Sequence, residues 1–214
     1  MNANQTNSVR TAIDIAIDAP VNEVFRLGGP LEEYWWIPGW KCQIVHCPND
    51  RVEQGTVFHE ISSSPFLLGY PGGRTRWTVV LRDDDNHRVH FRLDNRCSTS
   101  LYKIELHDDG RGGTVGTLDF TYTPTNERGR RLARKQLDSK LRLMISVLGA
   151  MLKHFCENGE LIPASAIAQM VRADRSLAVT DKIHFALNRL AHARLVDLDR
   201  ARFLAAYPTA GSNL

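Results

Sequence analysis

The sequence predicts an α+β domain in which a curved antiparallel sheet wraps around one long C-terminal helix, with a helical extension added behind it. Three observations carry this. Residues 41–123 hold six short runs of strand character separated by turn residues and not by helices, which implies antiparallel pairing. Leu137, Leu141, Met144, Leu148, Met151 and Phe155 then recur at alternating steps of four and three, one face of a long helix. A sheet of this size cannot cover its own concave face, and that apolar helix is the natural cover.

In chain order, residues 1–10 read as a frayed start. Over residues 11–18, Ile13, Ile15 and Ile17 alternate with Asp14 and Asp18, a half-buried strand. Pro20 opens a helix carrying Val21, Val24 and Phe25, which Gly28, Gly29 and Pro30 stop. A second short helix over residues 31–36 ends at Pro38 and Gly39. Strands are expected over residues 41–47, 56–62, 75–82, 88–93, 100–107 and 115–123. The Pro, Asn, Asp and Gly of residues 48–50, 83–86 and 108–113 supply turns. The long helix begins after Pro124 and stops at Gly159, a residue suited to the position past a helix end. Pro163 marks a boundary. Two or three helical segments follow, the clearest capped by Thr180 with Ile183, Leu187 and Leu190 on one stripe. The expected domains are residues 9–160 and 161–214.

Composition excludes several classes. Of 214 residues 43% are hydrophobic and 24% charged, which is globular and not disordered. No apolar run approaches the roughly 20 residues a membrane helix needs. Residues 1–8 are polar, without a signal pattern, so a cytoplasmic location is expected, with Cys42, Cys47, Cys97 and Cys156 reduced. A net charge of +3 is too small to argue for nucleic acid, and no such partner is expected.

The run Ile13-Asp14-Ile15-Ala16-Ile17-Asp18-Ala19-Pro20-Val21-Asn22-Glu23-Val24-Phe25 resembles the first strand and helix of the helix-grip superfamily. That superfamily, also called SRPBCC, holds START domains, the birch-pollen allergen, and the polyketide cyclase/dehydrase and lipid-transport-like proteins. Gly112-Gly113-Thr114 is similar to the turn before its last strand, and the helix ending at Gly159 to its C-terminal helix. The resemblance spans residues 9–160, without an invariant catalytic signature, and leaves 161–214 outside. It implies a cavity between sheet and helix that commonly holds an apolar or amphipathic ligand. Carriers, hormone receptors and cyclases share the fold, so fold does not decide function.

Three of the 4 tryptophans, Trp35, Trp36 and Trp40, fall within six residues. They either plug the end of the core or line the mouth of a pocket. Strand alternation puts Trp77, Val79, Leu81, Val89, Phe91, Leu93, Tyr102, Ile104, Leu106, Leu118, Phe120 and Tyr122 inward. It puts His90, Arg92, Lys103, Glu105, Thr117, Asp119 and Thr121 outward as a solvated face. On the third strand His59 shares a face with Val57 and Ile61, the best candidate for a polar group inside; the reverse phase would bring Glu60 in. His46, with Cys42 and Ile44, is next. The expected ligand-binding set is therefore Trp35, Trp36, Trp40, His59, Trp77, Phe91, Tyr102, Phe120, Met144, Leu148 and Met151, with His59, Tyr102 and Tyr122 the candidates for catalysis.

No metal or cofactor is expected. Cys42 and His46 lie about 13 Å apart at about 3.3 Å per strand residue, too far for one zinc. Gly110, Gly112 and Gly113 join two strands and so do not form a phosphate cradle. Two segments keep several readings open. Residues 64–73 place Phe66, Leu67, Leu68 and Tyr70 between Pro and Gly, as a loop on the core, a flap, or a contact with a second subunit. Arg128, Arg130, Arg131, Arg134 and Lys135 form either a solvated helix turn or a site for an acidic head group.

The leading functional expectation is non-catalytic binding or transport of an apolar or amphipathic small molecule, lipid or polyketide-like. The alternative is a polyketide cyclase or dehydratase using a pocket His or Tyr. A third reading is an interaction module that forms a homodimer through residues 161–214 or the apolar loop 64–73.

Overall fold

The computed structural model describes residues 8–38, 40–60, 75–134 and 137–182. The loop 64–73 and the stripe of Ile183, Leu187 and Leu190 lie outside them. The described elements are β1 (Val9–Ile17), α1 (Val21–Arg26), α2 (Glu33–Trp36), β2 (Cys42–His46), β3 (Val57–Glu60), β4 (Thr75–Asp83), β5 (Arg88–Asp94), β6 (Ser98–Asp108), β7 (Thr114–Pro124), α3 (Glu127–Ala133), α4 (Leu137–Asn158) and α5 (Ala164–Ala173). Seven strands form one antiparallel sheet in the order β1-β7-β6-β5-β4-β3-β2. This is the helix-grip architecture, with α4 across the concave face. Among the described residues no helix is long and apolar enough to cross a membrane.

Aromatic side chains bind the concave face together. Phe58 of β3 stacks on Trp77 of β4, with centroids 5.5 Å apart. Trp77 meets Phe91 of β5 edge-on at 5.6 Å, Phe91 stacks on Tyr102 of β6 at 6.3 Å, and Tyr102 meets Phe120 of β7 at 5.9 Å. Phe58 and Trp77, Phe91 and Tyr102, and Tyr102 and Phe120 are direct cross-strand partners, while Trp77 meets Phe91 on the diagonal, so one aromatic row links five strands.

Helix α4 supplies the opposite wall. Leu141, Met144, Ile145, Leu148, Met151, Leu152 and Phe155 are all buried. Gly149 is where the helix approaches β1 most tightly: a Cβ there would stand 3.1 Å from Ile15 Cγ2 and 3.3 Å from Ile13 Cδ1. The glycine therefore admits a strand, which offsets the roughly 1 kcal/mol it costs in helix propensity. Gly159 ends the helix at φ 70°, its N–H donating to Phe155 O at 2.8 Å.

Several expectations change. His59 lies opposite Arg76 on the far face of the sheet, because β3 pairs with Phe58 opposite Trp77. Both phases of that strand carry apolar residues, and stacking Phe58 on Trp77 decides between them. A bulge between Ile44 and His46 turns the exposed His46 away from the face of Ile44. A second bulge, between Val79 and Leu81, sets Leu81 opposite His90 on the outer face and Arg82 opposite the buried Val89. Asp119 is on the outer face but only 8% exposed, because Arg10 covers it with a 2.7 Å hydrogen bond.

The stretch expected as a single long helix holds two, α3 and α4. Asn126 caps α3 by accepting from Gly129 N at 3.0 Å. Glu127 then engages Arg130, Arg131 and Arg134, so part of the basic run is balanced within its own turn. Thr180 is not a cap: residues 179–182 are already helical, and Ala178 O accepts from Asp181 N and Lys182 N. Ile167 and Val171 of α5, with Leu177, join the same buried cluster as α4.

Candidate functional site

Helix α2 is a single turn that brings Glu33 and Trp36 to the site, with Ile37 and Trp40 following it. Gly29 O accepts from Glu33 N at 3.0 Å, and Glu33 O from Ile37 N at 2.9 Å. Glu33 therefore sits one turn before Trp36 and Ile37 and faces the same way. Two indole N–H groups hold the segment. Trp36 Nε1 donates to Leu27 O at 2.9 Å and Trp40 Nε1 to Pro30 O at 2.7 Å. Tyr34 ties it to β2 by accepting from Cys42 N at 2.9 Å. The aromatic-rich segment is thus clamped over the sheet, with both indole N–H groups committed to its own backbone.

Between α2, the concave sheet and α4 lies a cavity of about 40 Å³, measured as space open to the centre of a water molecule. That holds roughly three waters. Of the expected ligand-binding residues, Trp36, Trp40, Trp77, Tyr102, Phe120, Met144 and Leu148 line it. Four do not, and neither does Tyr122, a candidate for catalysis. Phe91 fills the space between Trp77 and Tyr102. Met151 is fully buried in the helix packing, because the lining stripe of α4 steps by four residues, Met144, Leu148 and then Leu152. Trp35 is half-buried, with the Arg26 guanidinium 5.9 Å from its ring centre. Tyr122 directs its hydroxyl to Gly129 O of α3 at 3.4 Å. His59 is across the sheet.

Among the described residues, three polar side chains reach the apolar cavity: Glu33, Glu60 and Tyr102. Glu60 Oε2 accepts from Trp77 Nε1 at 3.0 Å. The Glu33 side chain is 93% buried by exposure, at 7%, and its carboxyl makes no hydrogen bond or ion pair among the described residues. Burial pushes the proton affinity of Glu33 well above the ordinary carboxyl range, and the nearby Glu60 and Glu32 push it further. Burial, then Glu33, likewise raises the Tyr102 phenol. The Cys42 thiol is pushed up to about 12, chiefly by burial and then by Glu33, so it is not a thiolate nucleophile at neutral pH. Glu32 is raised by burial but moderated by Arg82 and Arg26.

A neutral carboxylic acid in an apolar wall both donates and accepts a hydrogen bond. With a phenol and a second carboxyl beside it, the group has the elements of proton transfer. Glu33 escaped the sequence reading although a signal was present: it lies three residues before Trp36, on the face that the aromatic cluster turns inward.

Residues 8–149 match a family model described as polyketide cyclase / dehydrase and lipid transport. No curated protein matches the sequence. Among solved structures, a similar one is a point mutant of norcoclaurine synthase from Thalictrum flavum in complex with a transition state analogue. The two share 12% identity at a TM-score of 0.50, over 68% of this chain and 94% of that one. At that identity the likeness is one of fold.

Proposed function

The chain belongs to the polyketide cyclase/dehydrase and lipid transport family, and on that premise we propose that it binds an apolar or amphipathic small molecule between the sheet and α4. The observation that carries this reading is the composition of the cavity wall. Trp36, Trp40, Trp77, Phe120, Met144 and Leu148 offer apolar surface, while Glu33, Glu60 and Tyr102 offer a few convergent polar groups. The space of about 40 Å³ is smaller than such a ligand. Binding therefore has to widen it, and Met144, unbranched and adaptable, is suited to give way.

The test is a titration of the full chain with a fatty acid, a sterol and an aromatic polyketide, read by tryptophan fluorescence. Trp36, Trp40 and Trp77 all border the cavity, so a ligand that enters should change the emission in a saturable way. Apolar burial should also give a negative heat-capacity change of binding. No saturable response across the panel would contradict the reading.

A second reading is favoured by Glu33 specifically. A protonated carboxyl beside Glu60 and Tyr102 suits a cyclase or dehydratase that moves a proton at a bound polyketone. Turnover of a polyketone that is lost in Glu33→Gln with binding retained would select catalysis; binding without turnover would select a carrier.

A further inference from the structure

The geometry points to an organic ammonium ion on a compact apolar body as the ligand class of this cavity. This rests on the small-molecule reading above and sharpens it by charge.

The described residues that line the cavity include two carboxyl groups, Glu33 and Glu60, and no Lys, Arg or His. Arg82 lies near, but its guanidinium is held 5.0 Å over the Phe25 ring, and its charge acts on Glu32 together with that of Arg26. Glu33 is left 7% exposed with no partner for its carboxyl among the described residues. A buried polar group without a partner costs free energy, and a charged or hydrogen-bonding ligand that supplies one recovers it.

The walls favour the same sign. The indole N–H groups of Trp36, Trp40 and Trp77 are committed to Leu27 O, Pro30 O and Glu60 Oε2, so none of these three donors is left for an anion in the cavity. Among the described lining residues, an anionic head group would meet two carboxyls and, in place of a cation, the hydroxyl of Tyr102 and the acid proton of Glu33.

Binding is linked to a proton. The groups facing Glu33 are Glu32 on its own helix, Glu60 from β3, Tyr102 from β6 and Cys42 from β2. Helices α1 and α4 and strand β7 contribute only apolar lining. The raised proton affinity of Glu33 favours its protonated form in the empty cavity. When R–NH3⁺ enters, the Glu33 carboxyl gives that proton to the solvent, and the carboxylate pairs with the ammonium. Charge balances, with one cation in and one proton out, and no bond to carbon changes.

Calorimetric titration of the full chain at pH 7 with n-octylamine, n-octanol and n-octanoate tests this, in phosphate and in Tris, buffers of different ionisation enthalpy. The three probes share one body, and the amine is protonated at this pH as a lysine amine is. The expected order is amine over alcohol by at least about tenfold, with octanoate weakest. The amine heats should differ between buffers in the sense of net proton release on binding. In Glu33→Gln the proton release should vanish and the amine-to-alcohol ratio fall to within about threefold; a urea melt of the same sample shows that it is folded. Octanoate binding as tightly as octylamine, amine binding without proton release, or a Glu33→Gln protein that keeps the preference would each overturn the assignment. Octanol binding without amine preference leaves the small-molecule reading standing while this inference fails. If none of the three binds, both fall.

Discussion

The Trp77 indole donates its N–H to Glu60 Oε2 at 3.0 Å, so a ring from β4 holds a carboxyl from β3 at the wall of an apolar cavity. The same ring stacks on Phe58 and meets Trp40 edge-on at 6.1 Å. Trp77→Phe keeps most of the ring surface and removes the donor. It should cost about 1 kcal/mol, the net worth of a typical hydrogen bond. Urea unfolding of the two proteins measures it, and a change below about 0.5 kcal/mol would mean the hydrogen bond does not hold Glu60.

Glu33 should make the fold less stable as pH rises. Its proton affinity is higher folded than unfolded, so the folded state binds more protons between the ordinary value of 4.5 and the raised one. Stability then falls with rising pH through that window and levels off above it. Glu33→Gln removes this contribution. Glu32, raised in the same direction, remains in both proteins. Urea melts at pH 5 and pH 8 should show a larger loss for the wild type than for the variant. An equal loss in both would mean that Glu33 titrates normally.

Leu148 is 8% exposed and borders the cavity from α4. Leu148→Ala should cost about 2–5 kcal/mol, the range for a large-to-small change in a packed core. A thermal or urea melt showing less than about 0.5 kcal/mol would mean that this helix face is not packed.

The extension is expected to matter for stability. Ile167 of α5 is 0% exposed and belongs to the cluster that contains α4. Ile167→Ala should cost about 2–5 kcal/mol. Removal of residues 161–214 should leave a folded but less soluble chain, read by circular dichroism and sedimentation. An unfolded truncation would mean that the packing of Ile167, Val171 and Leu177 against α4's cluster is required for folding.

The fold was legible because its signals are periodic. Alternation along β5, β6 and β7 and the four-three spacing along α4 each set one buried face, and Phe91, Tyr102, Phe120 and Leu148 are buried as that predicts. What was not legible is whatever breaks a period. The bulges at Ile44/His46 and Val79/Leu81 add a residue on one strand and shift every later side chain to the other face, and nothing in the local sequence marks them. The phase of β3 depended on which aromatic it would stack upon, a contact made with β4 and invisible within four residues of Val-Phe-His-Glu. The carboxyl of Glu33 is hard to read from the sequence because a charged residue on a short helix reads as solvated, and its spacing from Trp36 gains meaning once α2 packs over the sheet.

The central claim is that a small molecule occupies the space beside Glu33, between the aromatic row and α4. The chain has 4 methionines, and only Met144 borders the cavity among those described, with Met151 packed behind it and Met170 on α5. Labelling the methionine methyl groups with carbon-13 and titrating the full chain with n-octanol reads the site directly. The account predicts a saturable shift of the Met144 methyl signal with Met170 unmoved. Shifts confined to Met170, or a Met144 signal that stays in place while octanol binds, would contradict it.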